Sequence, residues 1–429
     1  MQSHSSGTFY RWRRHLALLI GGQMTSTLGN SLFLIVVVLY LVDLTDNAAL
    51  VGVYHFLTTL PGFLFAPIAG LVADRVSRKA VIVGSDLARG ATMLITGILV
   101  LSLVVEPVPV VLVATVIMGT LNALFFPAVQ AIVPDIIRSP ARLRSANSVR
   151  GSLVQLANLT GSAVGGTVYA LLGAPVVFLA NGCAYLLSGF QEMFIRIAPD
   201  VLSDIDRTQG GAHTRHGIRR VLSESKEGMQ YTFGRRNLRT IIALTFFSNL
   251  LYPPVVVALP FILRDIMQLP GIYFGYLLAT TLAGGIAGYV FVAAIPLSRA
   301  HEPGLYKLSY ALLAVALAAA SALNPAVMFP TLFVAGAAIA IAHVSAVTVL
   351  QRAVPVSHRG RVFAFLEMAV HLAAPLAYGL GGLFVETMRD SLFLVFPAIT
   401  AGATLIAVVV SCDRKLPALF IFDAADGST

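Results

Sequence analysis

Glu367 and His371 stand four residues apart inside the apolar run 361–385, a spacing that puts a carboxylate and an imidazole on one face of a helix. Such a pair can take up and release a proton. Burial and mutual pairing act in opposite senses on both groups, so a change of conformation switches their hold on it. A static pair bonded to a neighbouring helix is the other reading. An ionisable residue at the centre of a bilayer costs on the order of 2.5–3.5 kcal/mol on insertion scales, so each one inside a span is a functional candidate. Asp86 and Arg89, three apart, can pair on one helical face, with a structural pair favoured over a transport role. Arg150 reads equally as an interfacial charge that snorkels and as a gate. Glu192 and Arg196, near the end of an apolar run, read as interfacial, and His343 reads first as a packing histidine.

Polar residues without charge are also concentrated. Gln23, Thr25, Ser26, Thr27, Asn30 and Ser31 crowd into the first apolar run, a density expected of a helix that faces a cavity. Asn122 and Gln130, Gln155 and Asn158, and Asn249 and Tyr252 are further lining candidates, with interhelical hydrogen bonding an equal alternative for each. Phe125, Phe126, Phe246 and Phe247 would suit amphiphilic or aromatic solutes, or would face lipid.

The elements that must position these groups follow from composition. Of 429 residues, 57% are hydrophobic and 11% charged, against roughly 25% charged in soluble domains. Mean hydropathy is +0.84. A water-soluble enzyme is excluded, and the chain reads as an all-α integral membrane protein, since its runs are apolar throughout rather than alternating as β-barrel strands do. No G-x-S-x-G, H-E-x-x-H or phosphate-loop motif is present, so neither an enzyme nor an ATP-driven machine is expected. No cofactor or metal is expected either: His213 and His216 lack further ligands, and Cys183 and Cys412 are isolated.

Runs of about 20 apolar residues predict twelve spans, at 15–42, 49–72, 80–105, 108–133, 145–171 and 174–197, then 238–263, 271–298, 305–323, 326–350, 361–385 and 391–411. The organisation expected is an N-terminal segment 1–14, a six-helix bundle 15–197, a linker 198–237, a second six-helix bundle 238–412 and a tail 413–429. The first run, behind Arg11, Arg13 and Arg14, is too long for a signal peptide and reads as a retained span. With the N-terminus in the cytoplasm, Arg75, Arg78, Lys79, Arg138, Arg142, Arg144, Arg299, Arg352, Arg359, Arg361, Arg414 and Lys415 fall in or beside inner loops, while the opposite loops hold Arg264 and Arg389. That asymmetry predicts both termini inside, and the net charge of +9 needs no nucleic acid. In the linker, Ile218, Val221, Leu222, Met229 and Phe233 share a helical face, as in a helix lying on the membrane surface; a solvated linker is the alternative.

The halves echo each other. Val133-Pro134 and Gly165-Gly166 in the first correspond to Val354-Pro355 and Gly381-Gly382 in the second. Between the second and third spans the sequence reads Gly70-Leu71-Val72-Ala73-Asp74-Arg75-Val76-Ser77-Arg78-Lys79. Gly70 would let two helices approach, and Asp74 at a helix end can pair with Arg78 as a cytoplasmic latch.

This loop resembles the signature G-x-x-x-D-R-x-G-R-[RK] of the major facilitator superfamily, with Ser77 in place of Gly. Phe126-Pro127-Ala128, Ala146-Asn147-Ser148, Gln351-Arg352 and Arg359-Gly360-Arg361-Val362-Phe363 are similar to the branch of enterobactin-type siderophore exporters and macrolide and multidrug efflux pumps. Gly161-Ser162-Ala163-Val164-Gly165-Gly166 resembles the antiporter motif G-P-x-x-G-G, and Gly161, Gly165 and Gly166 would pack closely against a neighbouring helix.

The resemblance implies two pseudo-symmetric six-helix halves around a midplane site. It also implies secondary active export of amphiphilic small molecules from the cytoplasm, by proton antiport, across a bacterial inner membrane by a monomer. A lipid or lysophospholipid translocator of the same fold is the alternative.

Overall fold

The computed structural model describes residues 12–137, 140–195, 226–295 and 301–413, apart from the side chains at 66–75, 140, 141, 144, 236, 237, 356, 357, 359, 360 and 364. Every regular element among the described residues is a helix. The first four are α1 (Trp12–Thr45), α2 (Ala48–Arg75), α3 (Arg78–Ser102) and α4 (Pro107–Ile136). The helical stretch Pro140–Met193 is interrupted at Gly173, with φ 71° and ψ 168°, a conformation open essentially to glycine alone. It therefore divides into α5 (140–172) and α6 (174–193), where the sequence places a span boundary.

A short helix α7 (226–233) precedes α8 (Arg236–Asn249) and α9 (Tyr252–Phe261). Pro253 and Pro254 at the start of α9 have no N–H to donate, which ends α8, and α9 runs on into a π-helical turn, Ile262–Ile266. The remaining helices are α10 (Ile272–Ala294), α11 (Glu302–Ala320), α12 (Pro325–Ala353), α13 (Val356–Thr387) and α14 (Val395–Cys412). Prolines open α4 and α12, where a missing N–H costs nothing. Asn324 caps α12 by accepting the Ala326 N–H at 2.9 Å.

Among the described residues, eleven helical stretches are long and apolar enough to cross a membrane, with 145–193 counted as one; the break at Gly173 brings the number to twelve. The all-helical membrane class and six-plus-six count are therefore those read from the sequence. Ser77 stands at the start of α3 with φ −49°, so the turn there does not need the glycine of the usual motif.

Two compact units are present. One comprises Met1–Phe33, Leu64–Gly161 and Leu172–Ile218; the other comprises Leu34–Phe63, Ser162–Leu171 and Arg219–Thr429. In the first, Leu19, Ile82, Phe125, Val129, Ile132 and Ile136 form a buried cluster of α1, α3 and α4. In the second, α12 packs on α10 and α11, α11 on α14, and α13 on α9. The second unit thus joins the ends of α1, α2 and α5 to helices of the later half.

Candidate functional site

The first unit contains a chain of buried polar groups. Arg89 of α3 donates to Asp86 at 2.9 Å, and both are buried. The other guanidinium nitrogen donates to the Leu121 carbonyl at 3.1 Å and Asn122 at 3.4 Å on α4, and the group lies 4.2 Å over the Phe125 ring. Arg150 of α5 donates to Gln130 at 2.5 Å and Gln23 at 3.4 Å, which ties α5 to α4 and α1. Gln23 and Ser26 are buried, Ser26 bonding to its own helix at 3.2 Å. Tyr185 donates to Asn30 at 3.3 Å. Ser31 donates to Asn158 at 2.7 Å, and Asn158 to Gln155 at 3.4 Å. Most of the first span's polar residues therefore spend their hydrogen bonds between or along helices.

The signature loop is placed in part. The side chains of Gly70, Asp74 and Arg75 lie outside the described residues, as do residues 1–11, 196–225 (with His213, His216 and Arg196) and 414–429. Arg78, at the start of α3, binds Asp135 in the last turn of α4 at 2.6 Å and the Ala131 carbonyl at 3.2 Å. Lys79 lies beside it in the same turn, half-buried.

In the second unit, Glu367 and His371 share a face of α13 with Oε2 and Nδ1 3.6 Å apart, both more than half exposed. Nδ1 also lies 2.8 Å from the Glu367 carbonyl. His343 of α12 is exposed, and Asn249 bonds to the Thr245 carbonyl at 2.8 Å. Tyr252 borders a small recess with Ser248, Leu313 and Leu332.

Helix α7, the described part of the amphipathic stretch, packs on α13. Tyr231 stacks on His358 at 4.3 Å, Arg361 pairs with Glu227 at 3.0 Å, and Gly228 lies against the Arg361 carbonyl. Between α7, α8 and α13 runs a groove of about 310 Å³ whose wall includes Phe63, Phe233, Phe246, Phe247 and Phe365. Its wall is almost wholly apolar; the exposed Arg239, and Thr232, whose buried hydroxyl has no hydrogen-bond partner, are among its lining residues.

The glycines of α5 sit where backbones touch. A Cβ on Gly161 would lie 2.6 Å from Ser31 Cβ, one on Gly165 2.8 Å from Ile35 Cβ, and one on Gly166 2.6 Å from Ile272 Cα.

At the end of the second unit that carries the α1–α2 link, Asp46 accepts hydrogen bonds from both Arg264 and Arg389. Asp265 pairs with Arg264 at 2.7 Å and Arg389 at 3.0 Å. Glu386 accepts the Ala48 N–H at 2.6 Å, and Tyr169 donates to Asp43 at 2.6 Å. Burial opposes ionisation of Asp46, but the two guanidinium groups outweigh it and hold the carboxyl below the usual carboxylate range.

Sequence reading did not single out Asp46, Asp135 or the burial of Glu192, whose side chain is fully enclosed rather than interfacial. The signal for Asp46 was present: Arg264 and Arg389, the two arginines set apart from the basic loops in the sequence, both bind it.

The family model described as Major Facilitator Superfamily matches residues 19–304. The chain is 26% identical over 400 residues to the uncharacterised MFS-type transporter YfiS of Bacillus subtilis (strain 168), which covers 90% of each chain. It is 20% identical over 259 residues to macrolide efflux protein A of Streptococcus pyogenes, 60% of each. Among solved structures it resembles the nucleoside transporter NupG in fold, with a TM-score of 0.71, 13% identity, and 96% of this chain and 100% of that one covered.

Proposed function

The chain belongs to the major facilitator superfamily, and we propose that it is a secondary active exporter of amphiphilic small molecules, working by alternating access and driven by a proton gradient. The observation that carries this reading is the second-unit groove. Aromatic walls suit an apolar body, while Arg239, exposed at the edge of the groove, offers a charge to an acidic head. The likeness to a macrolide efflux protein supports the direction and the solute class. Glu367 and His371, exposed and 3.6 Å apart, are the pair to which this reading assigns the coupling proton. Both termini face the cytoplasm of a bacterial cell, on the asymmetry of Lys and Arg between the loops. The Arg78–Asp135 pair, with Asp74 and Lys79 beside it in sequence, latches that side.

The test is efflux of fluorescent amphiphiles from cells expressing the protein, with and without a protonophore, in wild type and Glu367→Gln. Proton-driven export requires wild-type efflux above the empty-vector rate, with the excess removed by protonophore. A broad panel without any excess rejects the solute class. An acyl chain with its headgroup at Arg239 also fits the groove, so lysophospholipid transport is the measurement that follows.

A further inference from the structure

In the first unit, the last turn of α6 carries Glu192, 0% exposed, with neither carboxylate oxygen hydrogen-bonded. Glycines of α1 make its enclosure. A Cβ on Gly22 would lie 3.1 Å from Glu192 Oε1 and 2.9 Å from Ser188 Oγ, and on the same helix face Gly29 abuts Asn181. The bare face of α1 thus lies on a polar face of α6 formed by Asn181, Ser188 and Glu192. Asn181 and Ser188 are themselves buried; the Asn181 side chain has no hydrogen-bond partner, and Ser188 lies beside Asp86.

The charged groups acting on Glu192 are Asp86 and Arg89 of α3. From α4 come Asn122 and Phe125, both on Arg89. From α6 comes Tyr185, its ring 5.5 Å from the guanidinium, and α1 supplies the uncharged Asn30 that Tyr185 bonds. Arg89 gives one nitrogen to Asp86 Oδ1 and another to α4, and its Nε is buried without a hydrogen-bond partner. Asp86 Oδ2 has no hydrogen-bond partner.

Two carboxylates and one guanidinium leave one negative charge unmatched where solvent does not reach. An unpaired buried carboxylate is strongly disfavoured, and the last turn of a helix adds the negative end of its dipole. We propose that Asp86 and Glu192 form a second proton-binding site that holds one exchangeable proton between them, with Arg89 as the fixed counter-charge. Unlike Glu367 and His371, this site is sealed from solvent in the conformation described, as a carrier of a coupling proton must be on one side of its cycle. Only the use made of the proton rests on the exporter reading; the site itself does not.

The test is infrared difference spectroscopy of the purified protein in lipid at neutral pH, with H/D exchange, reading the carbonyl stretch of protonated carboxylic acids. Wild type is expected to show an exchange-sensitive band that is lost in Glu192→Gln. It is expected to be lost also in Asp86→Asn, because Glu192 then has Arg89 to itself and gives up its proton. A variant that keeps the carboxylate, such as Asp86→Glu, retains the band. Absence of the band in wild type, or its persistence in Asp86→Asn, overturns the proposal. If Glu192→Gln does not fold, wild type against Asp86→Asn decides alone. A band that behaves as expected, in a protein whose transport ignores the proton gradient, keeps the site and rejects proton-driven export.

Discussion

Gly52 of α2 and Gly382 of α13 meet backbone to backbone: a Cβ on either would lie 2.6 Å from the Cα of the other. The echo of this contact is Gly166 of α5 against Ile272 of α10, again 2.6 Å to Cα. Each double glycine divides its work in the same way. Gly165 meets Ile35 of α1 and Gly381 meets Pro254 of α9, each in the first span of its own half, while Gly166 and Gly382 meet a helix of the other half. The sequence repeat is thus repeated in the contacts within the second unit.

Gly382→Ala and Gly52→Ala are each expected to destabilise the protein by about 1–3 kcal/mol, the cost of forcing a methyl group into a closed contact. Gly62→Ala, on the same helix as Gly52 but with open space around it, is expected to be neutral or slightly stabilising. Thermal unfolding in detergent compares the three; equal midpoints would contradict the packing.

Asp46 gives a pH dependence with a defined sign. Its carboxyl is held below the usual range, so its contribution is complete above the ordinary aspartate value of about 3.9 and is lost as pH falls through the lower folded value. The wild-type advantage over Asp46→Asn should be level from neutral pH to about pH 4 and disappear on further acidification. Because Asp46 is 62% exposed, the advantage should be on the order of 1 kcal/mol or less. Melting curves across that pH range measure it, and an advantage that grew in acid would rule out the assignment.

Arg78→Ala leaves Asp135 nearly buried without its cation. A loss of about 1–3 kcal/mol is expected, below the full cost of breaking a buried pair because Arg78 is partly exposed. Arg78→Ala combined with Asp135→Ala should cost less than the sum of the single changes, as a double-mutant cycle would show. Simple additivity would mean that the two residues act independently.

Arg239→Gln is expected to weaken transport of acidic amphiphiles about tenfold, the loss of one charge-assisted hydrogen bond, and to leave neutral amphiphiles unchanged. Concentration-dependent efflux of a matched acid and amide separates the two; equal effects on both would place the head group elsewhere.

The spans were legible because apolar length and proline or glycine breaks are local signals, as at Gly173 and Pro325. The Asp86–Arg89 pair was legible for the same reason, lying three residues apart on one helix. Asp135 was not, because its partner Arg78 is on another helix. The buried state of Glu192 depends on Gly22 of α1, and Asp46 joins three separate links. In each case the deciding neighbour is distant in sequence, and the residue's own surroundings suggest an ordinary interfacial charge.

The helices differ widely in length. At about 1.5 Å per residue, the 34 residues of α1 reach about 51 Å, well beyond a hydrocarbon core of about 30 Å. The 19 residues of α11 reach about 28 Å, whereas its neighbour α14 is carried on by the turn Arg389–Leu394 into a span of 24 residues. Helix α11 has no slack to take up by tilting, whereas α1 has plenty. Bilayer thickness therefore acts on the molecule first through α11, beside which lipids with longer acyl chains must thin.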